Sequence, residues 1–215
     1  MQDMSPSVTS QPTALNLAIA HGLPCQRLSQ VFALQREQAP EVAVKVHEVS
    51  SGELRAGLQA GWYDVGLSLT MGADLDFSCE PLWRERMVAV LPAESPLIVQ
   101  ADLSLDDLLQ FSVLRWPAEA CDGLEERLSA LSGGRRDAIQ DVTSFDMLAL
   151  QVAAGYGVGV TAESRSDRLA GWGITMRPIS DGFYELVTSL VLAASRSSPV
   201  AEQFVQRMRR IAANH

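Results

Sequence analysis

Basic residues are scarce in this sequence: Lys and Arg number 17 against 26 Asp and Glu, a formal net charge of −9. Phosphate contacts require clustered cations, so this segment is not expected to grip nucleic acid with its own surface. Cysteine is equally sparse. Cys25, Cys79 and Cys121 are odd in number, widely spaced and form no CxxC, which argues against a disulfide scaffold and suits a reducing compartment. No apolar run approaches the length that spans a bilayer, and the opening MQDMSPSVTSQP has neither the basic nor the apolar region of a secretion signal. A cytoplasmic chain without a membrane role is therefore expected. A Gly-rich phosphate loop, a GxSxG and an HExxH are all missing, and no convergent acid, base and nucleophile set stands out. The expectation is a protein that is not an enzyme, with no catalytic residues, no metal and no cofactor.

What is present is the composition of an ordinary globular protein, 47% hydrophobic and 20% charged, over 215 residues, enough for one large core or two smaller ones. Residues 1–12 are polar and aperiodic and read as a flexible leader or linker remnant. From Ala14 to Ala20, Leu15, Leu17 and Ile19 alternate with smaller residues as in a strand. Pro24 to Gln38 then places Leu28, Val31, Phe32 and Gln35 at helical spacing. Val42, Val44 and Val46 alternate in a second strand, and Ser50 with Glu53 forms a capping-box pattern that opens a helix ending near Gly61. Asp64 to Leu69 reads as a third strand. This β-α-β-α-β order calls for parallel strands in an open α/β sheet, whose ligands gather at the carboxyl ends of the strands. Those ends are Ala20-His21-Gly22, Val49-Ser50-Ser51 and Leu69-Thr70-Met71.

Arg86 to Leu91 reads as a fourth strand running into Pro92 and Pro96, where the chain can leave one lobe for another. The pattern then repeats. Ser104 to Leu109 is expected as a short helix, Ser112 to Trp116 as a strand, Asp122 to Leu131 as a helix capped by Asp122, and Asp137 to Val142 as a strand. A buried helix follows over Ser144 to Ala154, ended by Gly155-Tyr156-Gly157, and then a strand over Val158 to Thr161. Leu186 to Ala194 is a long strand able to return the chain to the first lobe, and Pro199 to Ala213 a closing amphipathic helix with Val200, Phe204, Met208 and Ile211 inward. The fold class expected is α/β: two Rossmann-like lobes joined by a two-strand hinge, with residues 13–91 and 190–215 in lobe I and 92–189 in lobe II.

Four segments carry a resemblance: the opening strand with LPCQRLSQVFALQREQAPEV, then SSGELRAGLQAGWYDVGLSL, then EPLWRERMVAVLPAESPL followed by SLDDLL, and last TSFDMLALQVAAGYGVGV. In order and spacing the chain resembles the effector-binding domain of LysR-type transcriptional regulators, which shares the type 2 periplasmic-binding-protein fold. Ser95 stands where that family often has His, and Ala162, near the cleft, where it often has Pro; neither touches the lobe architecture that the resemblance implies. The resemblance implies a small-molecule effector held between the lobes and DNA contact only through a helix-turn-helix that these residues do not include. It also implies a homodimer paired through lobe I, along Leu28 to Gln35 and Val42 to Val46.

The candidate ligand contacts lie on the loops facing such a cleft. In lobe I they are His21, Gly22, Leu23, Pro24 and Cys25 at one helix start, Ser50, Ser51 and Gly52 at another, and Leu69 and Thr70 at the third strand end. Helix N-termini offer unsatisfied amides and a positive dipole end, which favour acceptor or anionic groups. Ser50 caps its own helix under any reading, and ligand contact would be additional. In lobe II the candidates are Arg115, Trp116, Ser144, Phe145 and Thr161. Arg115 would pair with a carboxylate or else be a solvated side chain; Trp116 would cover an aromatic or aliphatic body or else pack within the lobe. His21 and Cys25, four apart, would make a metal or nucleophile pair only on one helix face, and none is expected, because Pro24 between them places His21 before the helix and no third or fourth ligand has suitable spacing. The leading expectation is a sensor of a small anionic or aromatic metabolite. A solute receptor of the same fold and, further off, an enzyme on this scaffold are the alternatives.

Overall fold

A computed structural model describes residues 14–69, 75–119, 121–133, 135, 137–169, 171–194 and 198–213. Thr70 and the N-terminal twelve residues, two of the sequence expectations, lie outside them.

The chain begins with β1 (Ala14–Ala20), α1 (Gln26–Gln38), β2 (Ala43–Val49), α2 (Ser51–Ala60) and β3 (Val65–Ser68). Strand β1 lies between β2 and β3 and pairs with both in parallel, as the alternating order demands. Its two faces separate cleanly. Leu15, Leu17 and Ile19 pack with Leu28 and Val31 of α1 on one side, and Ala18 and Ala20 pack with Leu54 and Leu58 of α2 on the other. Helix α2 starts on a complete capping box, with the Glu53 amide donating to Ser50 Oγ at 3.2 Å and the Ser50 amide donating to the Glu53 carboxylate at 3.0 Å. It stops at Gly61, whose φ of 78° is open to glycine at little cost.

Strand β4 (Phe77–Pro92) has 16 residues and is far longer than the Arg86 to Leu91 expected from sequence. The register slips between Pro81 and Trp83, because a proline has no N–H for the ladder, and this bulge hides the strand from a pattern of alternation. Lobe II follows with a 3₁₀ turn (Pro96–Val99), α3 (Leu105–Leu108), β5 (Val113–Arg115), α4 (Asp122–Ser132), β6 (Ile139–Asp141), α5 (Phe145–Ala153), β7 (Val158–Ala162), a second 3₁₀ turn (Glu163–Arg165), α6 (Ser166–Leu169) and β8 (Ile174–Pro178). The chain closes with β9 (Glu185–Ala193) and α7 (Pro199–Ala213). Two sequence expectations are corrected here. Cys121, not Asp122, is the N-cap of α4, and it makes no side-chain cap bond. Strand β8 was not foreseen; its side chains are all half-buried or exposed, so it lacks an alternating apolar signal.

The strand order is β2-β1-β3-β9-β4-β7-β5-β6, with β8 also on β4. Strands β5, β6 and β7 pair in parallel, whereas β9 and β4 run antiparallel to their neighbours, so the architecture is mixed rather than wholly parallel. Along β4 the partner changes: Phe77 to Arg86 faces β9, and Met87 to Pro92 lies between β7 and β8. This is the two-lobed α/β fold with β4 and β9 as its two crossings. Each crossing strand feeds both lobes, Phe77 and Leu190 entering the lobe I core and Met87 and Leu186 the lobe II core. In lobe II, Met87, Ala89 and Leu91 face α3 and α4, while Val90 turns to Phe145, Leu148 and Val152 of α5. Helix α7 returns to lobe I and packs on α1, with Phe204 fully buried and stacked on Phe32.

Candidate functional site

The carboxyl ends of the strands from both lobes meet at one cavity of about 540 Å³. Lobe I supplies the turn after β1 with the start of α1, namely Gly22, Leu23, Pro24, Cys25 and Gln26, and Glu48 near the end of β2. Lobe II supplies Trp116 after β5, Ser144, Phe145 and Asp146 at the start of α5, and Ser164, Arg165, Asp167 and Arg168 after β7. Two helix N-termini from opposite lobes thus line the same space. They are finished differently. Ser144 caps α5 by accepting the Met147 amide at 3.2 Å, whereas Cys25, the N-cap of α1, gives its helix no side-chain cap. The first turn of α1 therefore presents backbone amides without a side-chain acceptor, the kind of terminus that attracts an acceptor group.

The lobe II wall is built around Arg165. Its Nε–H donates to Glu119 at 2.6 Å, and the pair is sealed from solvent, with side-chain exposures of 7% for Arg165 and 1% for Glu119. Thr161, fully buried in β7, donates its hydroxyl to the other Glu119 oxygen at 2.6 Å. The Nη2–H of Arg165 reaches across to lobe I and donates to the Gly22 carbonyl at 2.9 Å. Burial pushes the Glu119 carboxyl above its ordinary value, and Arg165, Thr161 and the Ala162 amide pull against that rise. The Arg165 guanidinium lies over the rings of Phe145, at 4.8 Å from the centroid, and of Trp116, at 5.4 Å. Arg168 covers Phe145 as well and pairs with Asp146 at 2.9 Å.

The expected site residues fall into distinct groups. Gly22, Leu23, Pro24, Cys25, Trp116, Ser144 and Phe145 line the cavity together. His21 is exposed beside it and donates its amide to the Val49 carbonyl at 3.0 Å. Ser50, Ser51 and Gly52 are exposed and do not line the cavity, where Glu48 stands instead. Leu69 packs against the cores of both lobes. Arg115 does not line the cavity either: its Nε–H is on Asp141 at 2.7 Å and its Nη1 is 3.3 Å from Glu125. Thr161 serves Glu119. Burial raises the Cys25 thiol above its ordinary value against the pull of Arg165, and its Sγ–H donates to the Leu23 carbonyl at 3.3 Å. Among the described residues no cluster of His, Cys, Asp and Glu is arranged to hold a metal.

Sequence reasoning missed Gln26, Glu48, Asp146, Ser164, Arg165, Asp167 and Arg168 in the lining, and Glu119 behind it. Arg165 and Arg168, spaced by a helical turn just beyond the end of β7, were a usable signal. The Glu119–Arg165 pairing was not, since 46 positions separate the partners.

A family model described as the LysR substrate binding domain matches residues 10–213. Among curated proteins the chain is similar to the HTH-type transcriptional regulator CysB of Burkholderia cenocepacia, at 23% identity over 181 residues, covering 83% of this chain and 58% of that protein. The chain spans about half the length of the curated regulators it matches. Among solved structures it is similar to the BenM effector binding domain with its effector benzoate, with a TM-score of 0.80 at 18% identity, covering 95% of this chain and 94% of that one. It is likewise similar to the effector binding domain of QuiR in complex with shikimate, with a TM-score of 0.79 at 14% identity, covering 95% of this chain and 99% of that one. Both likenesses concern the fold.

Proposed function

Since the chain belongs to the LysR substrate-binding domain family, we propose that it is the effector-sensing part of a transcription regulator, working in the cytoplasm and catalysing no reaction. In this reading residues 13–91 and 190–215 are assigned to lobe I and residues 92–189 to lobe II, with the Met87–Leu91 end of β4 packing into the lobe II core, and a small anionic or aromatic metabolite is held between the lobes. The observation that carries this reading is the cavity itself: about 540 Å³, within the range of small-molecule sites, with helix N-termini from both lobes in its lining. Trp116 and Phe145 stand in its lining with the Arg165 guanidinium over both rings, and the open start of α1 suits a carbonyl or carboxylate. Arg115 is taken up by Asp141 and Glu125, and the cavity arginines Arg165 and Arg168 are paired with Glu119 and Asp146, so an acceptor or negative charge on the effector would be met by the open start of α1.

An effector that favours one lobe arrangement shifts the population toward it, and an attached DNA-binding domain reads the shift. The sensor pairs with a second copy through the edge strand β2 and the outward face of α1. Leu28, Val31 and Gln35 are buried in lobe I, so that face consists of their exposed neighbours Ser29, Ala33 and Arg36.

A thermal-shift screen against carboxylic acids, neutral aromatics and amines tests the site, since a ligand that binds only the folded state raises the midpoint. The expected hits are aromatic or acidic compounds whose effect is lost in Trp116→Ala. Hits confined to aliphatic amines, or hits unaffected by that substitution, would overturn the assignment.

A further inference from the structure

The Glu119–Arg165 pair is hard to explain as a stabilising device of lobe II alone. Taking a carboxylate and a guanidinium out of water consumes most of what their attraction returns, and well-packed apolar residues of similar volume usually serve stability as well or better. The pair also has a contact that stability within lobe II does not require, the donation from Arg165 Nη2 to the carbonyl of Gly22 in lobe I. A second observation points to the same seam. Gly22 has a φ of 86°, and a Cβ placed there would run into the carbonyl of Ala118 and close on the amide of Glu119. The turn after β1 is thus pressed against the loop that carries Glu119, at a point remote in sequence from the hinge strands β4 and β9. Gly22 and Arg165 both line the cavity, so a molecule occupying it touches both sides of this seam.

We propose that Glu119 and Arg165 form an interlobe latch, in which Glu119 and Thr161 position Arg165 so that it fastens the Gly22 carbonyl and sets how far the cleft opens. Glu119 fixes the Nε edge of the guanidinium and leaves the Nη2 edge directed at lobe I. Trp116 and Phe145 cover its faces, which removes the rotational freedom a solvated arginine would keep. When the lobes part, the Gly22 carbonyl and the Nη2–H separate and must be hydrated, while the Glu119 and Thr161 contacts stay intact within lobe II. Of this cluster's polar contacts, only one charge-assisted hydrogen bond therefore opposes opening, which keeps the seam reversible. The consequence for sensing rests on the reading of the cavity as an effector site; the latch itself does not.

Hydrogen exchange followed by mass spectrometry on the full chain, with no small molecule added, separates the two ideas. In Arg165→Met, amides of the lobe I turn, residues 20–26, are expected to exchange about tenfold faster, as the loss of one charge-assisted bond implies, with the rest of β1 and with β9 unchanged. A purely structural pair would instead loosen lobe II, around residues 158–169, and leave that turn as it was. Because Arg165→Met strands a buried carboxylate, Glu119→Gln combined with Arg165→Met is the second arm. It is expected to recover the unfolding midpoint and still to keep residues 20–26 fast. Wild-type protection of residues 20–26 in the double variant would overturn the latch. Failure of the metabolite screen alone would bear on the effector reading and not on this one.

Discussion

Arg115 and Arg165 are both arginines at the carboxyl side of a lobe II strand, and their surroundings give them different work. Arg115 keeps 28% of its side chain exposed and is shared between Asp141 and Glu125 on the same lobe. Partly solvated pairs of this kind contribute about 0–1 kcal/mol. Arg115→Ala should accordingly change the urea midpoint little and leave the affinity of any hit from the metabolite screen unchanged; a tenfold loss of affinity would place the residue in the site after all. A different pair ties the closing helix to the hinge. Arg209 of α7 donates its Nε–H to both oxygens of Glu80 in β4, at 3.0 and 3.1 Å, and holds that carboxyl below its ordinary value. A depressed folded value means the stabilisation is present above the unfolded value and is lost as the pH falls through the folded one. Both side chains are more than a third exposed, so screening limits the effect to about 0.5 kcal/mol. Glu80→Gln should lower the unfolding midpoint slightly at neutral pH and match the wild type once the carboxylates are protonated. An equal difference at both ends of the titration would refute the assignment.

Helix ends are where the elements meet the cavity. Ser144→Ala removes the side-chain acceptor for the Met147 amide and should destabilise the protein by about 1 kcal/mol in a urea titration, the usual cost of a lost N-cap. No measurable change would mean that solvent or a neighbour satisfies that amide equally well. The elements that were legible in the sequence are those whose signals are local. Ser50 with Glu53 announced α2, Gly61 its end, and the alternation of Leu15, Leu17 and Ile19 announced β1. Those that escaped are elements whose signals are interrupted or depend on a distant partner. Pro81 breaks the pattern of β4 at the bulge, and β8 has only half-buried or exposed side chains along one side of β4. The cap of α4 was misassigned by one residue because Asp122 has the right chemistry but already stands inside the first turn.

For the whole molecule, the edge strand β2 is the exposed flank of the lobe I sheet, with Val46 47% exposed there. A strand edge left uncovered is open to pairing with a second copy, although Lys45 and Glu48 on β2 work against uncontrolled pairing. Val46→Lys should shift sedimentation equilibrium toward the monomer while leaving the unfolding midpoint of the isolated chain close to the wild type. An unchanged association state would take β2 out of the interface. Across the molecule, the sequence by itself determined most of the succession of strands and helices, β8 and the first half of β4 excepted, the two-lobed α/β plan and the loops on which a site would stand. These follow from periodicity, caps and turn residues that act within a few positions. Which side chains face the cavity was decided only by tertiary structure. Arg115 turns to Asp141, Ser50 stays at its cap, and Arg165 finds Glu119 and Gly22, the latter 143 positions away. A guanidinium goes to whichever acceptor the packing of two lobes brings within reach, and that proximity is a property of the folded chain.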